Sequence, residues 1–404
     1  MDRTILEQGI SRYGTPSYIF DIDMLRDHVH TFRQILGDRA GLCYAIKANP
    51  FLTEQMAELA DRLEVCSMGE YRICRRLGIP PEKLFISGVL KRKEEIYEVL
   101  EDTRGRSACT VESVQQFQYL VDWSEDNHVP VPVYIRLSSG NQFGVDWQTL
   151  LNLLAIRKNC PFVKIKGLHY FSGTQKRVSK IQDEIRELDR RCMELEELYG
   201  FPMETLEYGP GLSVSYFEGE PEQTLEDLKA TVDAVGKMKW KGNVILEMGR
   251  ALAAFCGYYL TQICEIKHTD GKHYCMTDGG IHQMHYDGQI RGMYRPCFQM
   301  IPDSPDASEE ECNVFGALCT VNDILLQKVR LRGPAIGTTL VFERTGAYSV
   351  SEGMALFLSR ELPAVALYSR EKGWNQARAR QSTYQWNTDE EENYGDIEEY
   401  FKRD

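Results

Sequence analysis

A lysine closes the apolar run of YAIKANP, at Lys47. An amine at the end of a strand covered on both faces is expected to have a lowered pKa, because burial disfavours its charged form. A neutral amine is the nucleophile that forms a Schiff base with an aldehyde cofactor. Taken alone, a strand-end lysine that reaches solvent fits the same letters. Three further stretches, SGTQ (172–175), EYGPGLS (207–213) and LEMGR (246–250), end apolar runs in glycine-containing turns. Such turns, opening onto helices, expose backbone N–H groups that bind a phosphate, and Arg250 adds a bidentate charge. Thr174, Gly209, Gly211, Gly249 and Arg250 are therefore the candidates for a phosphate site. Glu247 ends the same run as Arg250, and a carboxylate there suits a heteroaromatic ring nitrogen, whose protonation makes the ring a better electron sink. A salt bridge to Arg250 or Arg136 is the alternative use of it.

These residues need a scaffold that brings distant strand ends together. Between residues 41 and 250 there are eight β-branched or aromatic runs, at 42–48, 63–67, 84–87, 107–111, 131–137, 165–172, 206–209 and 244–249. Helical patterns such as VESVQQFQYLVDW and KIQDEIRELDRRCMELEELYG lie between them, charged on one face and apolar on the other. Eight strand–helix repeats predict a closed (β/α)8 barrel, in which function sits at the C-terminal ends of the strands. After residue 252 the runs become extended and turn-rich (YYLTQICEIK, KHYCMTDGG, TTLVFERTGAYSV), which predicts a mostly β second domain. SYIFDID, read as extended before any helix, is expected to join that second sheet. The expected domains are 1–25 with the β domain, a barrel over 26–255, a β domain over 256–386 and an acidic tail over 387–404, with a loop at 301–311.

The 404 residues are 43% hydrophobic with a formal charge of −13, so neither nucleic acid nor an anionic membrane surface is an expected partner, and a small molecule is. No run approaches the ~20 apolar residues of a membrane span, and the first residues lack a signal-peptide pattern, so a cytoplasmic location is expected. The 12 cysteines contain no C-x-x-C pair. His28 with His30 and His282 with His285 are read as the close histidine pairs, and no metal is expected of either.

Taken together, these motifs resemble the fold-type III pyridoxal-phosphate (PLP) decarboxylases, the family of diaminopimelate, ornithine and arginine decarboxylases, from TPSYIFDIDML to GAYSVSEGMALFLSRELPAVAL. YAIKANP resembles its cofactor-lysine motif, CSMGE the motif after the second strand, GLHYFSGTQ its His-x-Gly-Ser/Thr motif, GPG its glycine phosphate loop, LEMGR its Glu-Pro-Gly-Arg motif and GALCTVND its cysteine motif. The resemblance implies a Schiff base on Lys47, Glu247 at the pyridine nitrogen, and phosphate held by Gly211, Gly249, Arg250 and Tyr348. It also implies that Cys319 returns a proton across a dimer interface, and it places Asp278, Thr320 and Asp323 near the substrate. Asp278, before two glycines, equally suits a turn cap.

Four residues depart from the family pattern. Phe171 stands where a histidine stacks on the cofactor ring, and His169 lies one pleat deeper on the same face. Pro210, inside the phosphate loop, has no N–H to donate. Met248 replaces a proline. Thr320 follows Cys319 where decarboxylases of basic amino acids place an acid. The resemblance implies a Cα-decarboxylase, and Thr320 points to an amino acid with an acylated or carrier-linked distal end. A primary-metabolic basic amino acid decarboxylase, a racemase and a non-catalytic PLP-binding protein are the alternatives.

Overall fold

Strands such as LCYA are apolar at every position, so they are stable only where both faces are covered, as in a closed parallel barrel. The computed structural model describes residues 1–287 and 292–389. The first strand, β1 (Ser17–Asp21), lies outside the barrel. The next eight close it in chain order: β2 (Gly41–Ala45), β3 (Arg62–Val65), β4 (Leu84–Ile86), β5 (Ala108–Val111), β6 (Val131–Arg136), β7 (Val163–Phe171), β8 (Thr205–Gly209) and β9 (Asn243–Met248). Closure pairs Cys43 with Glu247 and Tyr44 with Met248, which sets Glu247 beside the strand that leads to Lys47. The outer helices bury one stripe each. In Val178–Glu197 the buried residues are Ile181, Ile185, Leu188, Cys192 and Leu195, at helical spacing.

The second domain contains β10 (Gly257–Thr269), β11 (Lys272–Thr277), β12 (Phe298–Ile301), β13 (Glu309–Phe315), β14 (Ile324–Arg332), β15 (Thr339–Glu343), β16 (Ala364–Ser369) and β17 (Gly373–Arg378). Together with β1 they form one nine-stranded sheet, in which β1 lies antiparallel to β10 and parallel to β16. The N-terminal strand thus belongs to the second domain.

Two sequence expectations are corrected here. A helix, Arg3–Tyr13, precedes the SYIFD strand; it is polar enough to escape notice, with only Leu6 and Gly9 buried, and Asp2 caps it by accepting from the Thr4 N–H at 2.8 Å. The expected loop at 301–311 ends earlier, because β13 begins at Glu309. Its acids read as loop residues but face basic partners across the ladder, Glu309 opposite Arg332 and Glu311 opposite Arg330. From residue 390 onward the expected acidic tail lies outside the described residues.

Candidate active site

Past the end of β2, a single 3-10 turn over Ile46–Ala48 sets Lys47 at the barrel mouth. Its Nζ donates to Glu64 at 2.7 and 2.9 Å and lies 3.3 Å from Cys66 Sγ. Glu64 comes from the middle of β3 and is 2% exposed. The expectation that burial lowers the Lys47 pKa is therefore overturned. Burial does pull the amine down, but the Glu64 carboxylate, with Cys66, Glu247 and Tyr348 near it, outweighs burial and raises it well above its ordinary value. Glu64 moves the opposite way: burial pushes it up, yet Lys47 and the Cys66 and Ser87 hydrogen bonds hold it below the ordinary carboxylate range.

Lys47, Phe171, Thr174, Gly211, Glu247, Gly249, Arg250 and Tyr348 line one cleft. Gly211 has φ +62°, and a Cβ on it would sit 2.1 Å from the Gly173 carbonyl oxygen. A Cβ on Gly249 would lie 2.7 Å from Ala48 Cβ. Gly211 is thus required by close backbone approach, and Gly249 by the Ala48 methyl packed against it. Gly209 lies just below the cleft, where a Cβ would meet the Phe171 ring at 2.6 Å. Arg250 donates from Nε to Thr174 Oγ1 at 3.3 Å and from Nη1 to Tyr216 Oη at 2.8 Å. Its guanidinium lies 4.5 Å from the Tyr348 ring centre. Tyr348 arrives from the second domain, and its N–H donates to the Ala48 carbonyl at 2.6 Å.

Glu247 is 7% exposed, and its Oε2 has no hydrogen-bond partner. His169 Nε2 approaches that oxygen at 3.1 Å, outside hydrogen-bond geometry, from the deeper position that the strand pattern gives it. Neither alternative salt bridge forms, since Arg136 pairs with Glu112 at 3.0 Å and Arg250 is engaged as above. A buried, unpaired carboxylate oxygen is costly unless a group that donates to it fills the site. An amine-bearing side chain at the barrel mouth, a glycine cradle beside an arginine, and that oxygen together fit a phosphorylated heteroaromatic aldehyde.

Four expected substrate or acid–base residues stand apart from this cleft in their own chain. Cys319 is exposed, on the turn after β13, with Thr320 N–H donating to the Leu318 carbonyl. Asp323 is fully buried, its carboxylate accepting the Ile281 N–H at 2.8 Å and the Leu318 N–H at 2.7 Å. Asp278 accepts from Thr15 Oγ1 at 2.6 Å, Thr261 Oγ1 at 2.7 Å and the Gln262 N–H at 2.9 Å. The residues missed at the sequence level are Glu64 and Tyr216. An acid inside a four-residue strand of a closed barrel, RLEV, was the available signal for Glu64; nothing in YFEGE marks Tyr216.

Barrel, cradle and lysine define a cofactor-dependent enzyme of the barrel-plus-β-domain type. Residues 22–254 match the family model described as pyridoxal-dependent decarboxylase, pyridoxal binding domain. The chain belongs to this family, the fold-type III PLP-dependent decarboxylases, and PLP is its cofactor. It is 27% identical to diaminopimelate decarboxylase of Haemophilus influenzae over 370 residues, 86% of each chain. It is 25% identical to L-glutamyl-[BtrI acyl-carrier protein] decarboxylase of Niallia circulans over 391 residues, 90% of this chain and 91% of that one. Among solved structures it resembles diaminopimelate decarboxylase of M. jannaschii with L-lysine, at 23% identity and a TM-score of 0.85, covering 96% of this chain and 94% of that one. It also resembles lysine/ornithine decarboxylase of Vibrio vulnificus with cadaverine, at 20% identity and a TM-score of 0.79, covering 91% and 98%. At such identities these structures establish the fold. No helix among the described residues is long and apolar enough to cross a membrane.

Proposed function

We propose that this amino acid decarboxylase acts on a substrate whose distal end is acylated or tethered to a carrier protein, in the cytoplasm, at sites shared between the subunits of a homodimer. The observation that carries the substrate reading is that, among the described residues, none of the three positions expected to meet a distal ammonium offers a free acid. Thr320 replaces the acid beside Cys319, the Asp323 carboxylate is spent on two buried backbone N–H groups, and Asp278 is spent on Thr15, Thr261 and Gln262. An ammonium buried without an anionic partner costs several kcal/mol, so a neutral or conjugated end is favoured. The Niallia circulans relative, whose name states a carrier-linked glutamyl substrate, supports the same reading.

When bound, PLP supplies the electron sink for the pair left by CO2. Lys47 offers the amine that anchors it, and Glu64, 2.7 Å away, holds that amine as its ammonium until the proton is lost. Gly211, Gly249, Thr174, Arg250 and Tyr348 would hold the phosphate, Phe171 would pack on the ring, and Glu247 Oε2 would accept the ring N–H. Cys319 would return the proton to Cα from the other subunit. Shared sites are supported by an exposed apolar surface around the cysteine turn: Val321 is 84% exposed, and Met354, Leu356, Phe357 and Leu358 are all exposed in the segment that Arg360 ties to the Ala317 carbonyl. The free state of all 12 cysteines suits a reducing compartment.

The test is CO2 release from free diaminopimelate, lysine, ornithine and arginine beside amide-linked and carrier-linked analogues. Turnover confined to the linked substrates is expected. Efficient turnover of a free basic amino acid, with kcat/KM of about 10⁴ M⁻¹s⁻¹ or more, would overturn the distal-end assignment in favour of a free basic amino acid decarboxylase of primary metabolism.

A further inference from the structure

The β10–β11 hairpin carries a histidine on each arm. His268 and His273 are five apart in sequence but directly opposite in the ladder, because the turn at Asp270–Gly271, with positive φ at both residues, folds one strand onto the other. Their rings approach to 3.7 Å between centres. β13 lies on the far side of β11, with Cys312 opposite His273, so Glu310, two residues earlier, projects from the same face of the sheet. Its Oε2 lies 2.9 Å from His273 Nδ1. One ligand-capable atom from each of His268, His273 and Glu310 lies within 4.8 Å of the others.

We propose that His268, His273 and Glu310 form a divalent transition-metal site of the zinc class on the outer end of the second domain. Two imidazoles and one carboxylate form a borderline donor set that suits Zn²⁺. Zinc bonds of about 2.0–2.2 Å in a tetrahedral site place ligand atoms about 3.3 Å apart, so the 2.9 Å edge would open slightly as the metal replaces the hydrogen bond, and His268, within 4.8 Å of both, would close to complete the triangle. His268 is exposed, and His273 and Glu310 are 31% and 41% exposed, which leaves a fourth position open to water. Three ligands from three strands make the metal a clip across β10, β11 and β13. β11 and β13 run in parallel from this clip toward the turns that carry Asp278 and Cys319. The metal is therefore structural for those strands and takes no part in the barrel chemistry. The sequence reading expected no metal and missed this pair, because a separation of five becomes a contact only once the hairpin register is known.

The experiment uses the PLP-loaded protein, stripped with chelator and titrated with ZnCl2 by calorimetry, alongside His268→Ala and Glu310→Gln. The unaltered protein should bind one more Zn²⁺ than either variant, or bind it more than about tenfold tighter. Co²⁺ in place of Zn²⁺ should give visible d–d absorption in the unaltered protein alone. Near-identical melting of the metal-free proteins would establish that all three are folded, and the spectrum of bound PLP gives a second check. Equal stoichiometry and affinity in all three proteins would overturn the proposal, as would a Co²⁺ spectrum that persists in His268→Ala.

Discussion

Lys47 Nζ and Glu64 Oε2 stand 2.7 Å apart at the mouth of the barrel, an ammonium held by a carboxylate that is itself almost wholly enclosed. Because Glu64 raises the amine, the nucleophilic form of Lys47 is scarce at neutral pH in the cofactor-free protein. Cofactor loading should therefore accelerate as pH rises. In Glu64→Gln the largest raising charge is gone and burial is opposed only by Cys66, Glu247 and Tyr348, so the free amine appears at lower pH and loading near pH 7 should be faster by about tenfold for each unit the pKa falls. The measurement is the growth of visible absorbance on mixing PLP with apoprotein across a pH series. Superimposable profiles for the two proteins would show that Glu64 does not control the amine.

Gly211→Ala should weaken PLP binding by at least about tenfold. At φ +62° an L side chain is strained, and its Cβ would collide with the Gly173 carbonyl in the adjoining turn. Equilibrium titration of cofactor fluorescence measures it, with Gly200→Ala as a control because that glycine, also at positive φ, has nothing within 4 Å of its Cβ position. Equal effects at both positions would mean that backbone strain, and not the cradle, sets the loss.

Asp323→Ala should cost stability before it costs substrate affinity. Two buried N–H groups, on Ile281 and Leu318, would lose their acceptor, a loss of about 2–4 kcal/mol. Thermal unfolding of the PLP-loaded variant should shift downward. A variant with unchanged melting and a raised KM would instead assign Asp323 to the substrate.

Lys47→Ala and Cys319→Ala proteins, each inactive, should recover activity when mixed. A hybrid dimer with shared sites contains one site with both native residues, so an even mixture should reach about a quarter of the native rate. No recovery after subunit exchange has been demonstrated by mass would place both residues in one chain's site.

The barrel strands were readable in the sequence because a strand covered on both faces is apolar without alternation, and eight such runs separated by amphipathic stretches have few other solutions. The glycines of the cleft were readable for the opposite reason, since GPG and MGR break those runs abruptly. The rest lay in pairings. Glu64 reads as one of two charges in RLEV until β3 is known to flank β2. His268 and His273 become neighbours only through hairpin register. Strands β14 and β17 are the edge strands of the second sheet, each paired only with the strand before it, and both mix apolar with charged or polar residues, so local pattern did not single them out.

The position of β1, enclosed between β10 and β16, also orders events during synthesis. The barrel's eight strands can meet once residue 248 has emerged, whereas β1 must wait for residues 364–369 before its second edge is covered. Tyr348 reaches Ala48 only in that later interval. The nascent chain therefore passes through a stage with a finished barrel and an unfinished cleft. The cofactor meets its complete site only after residue 348 has emerged, and a product truncated before residue 364 would expose β1 as an edge open to aggregation.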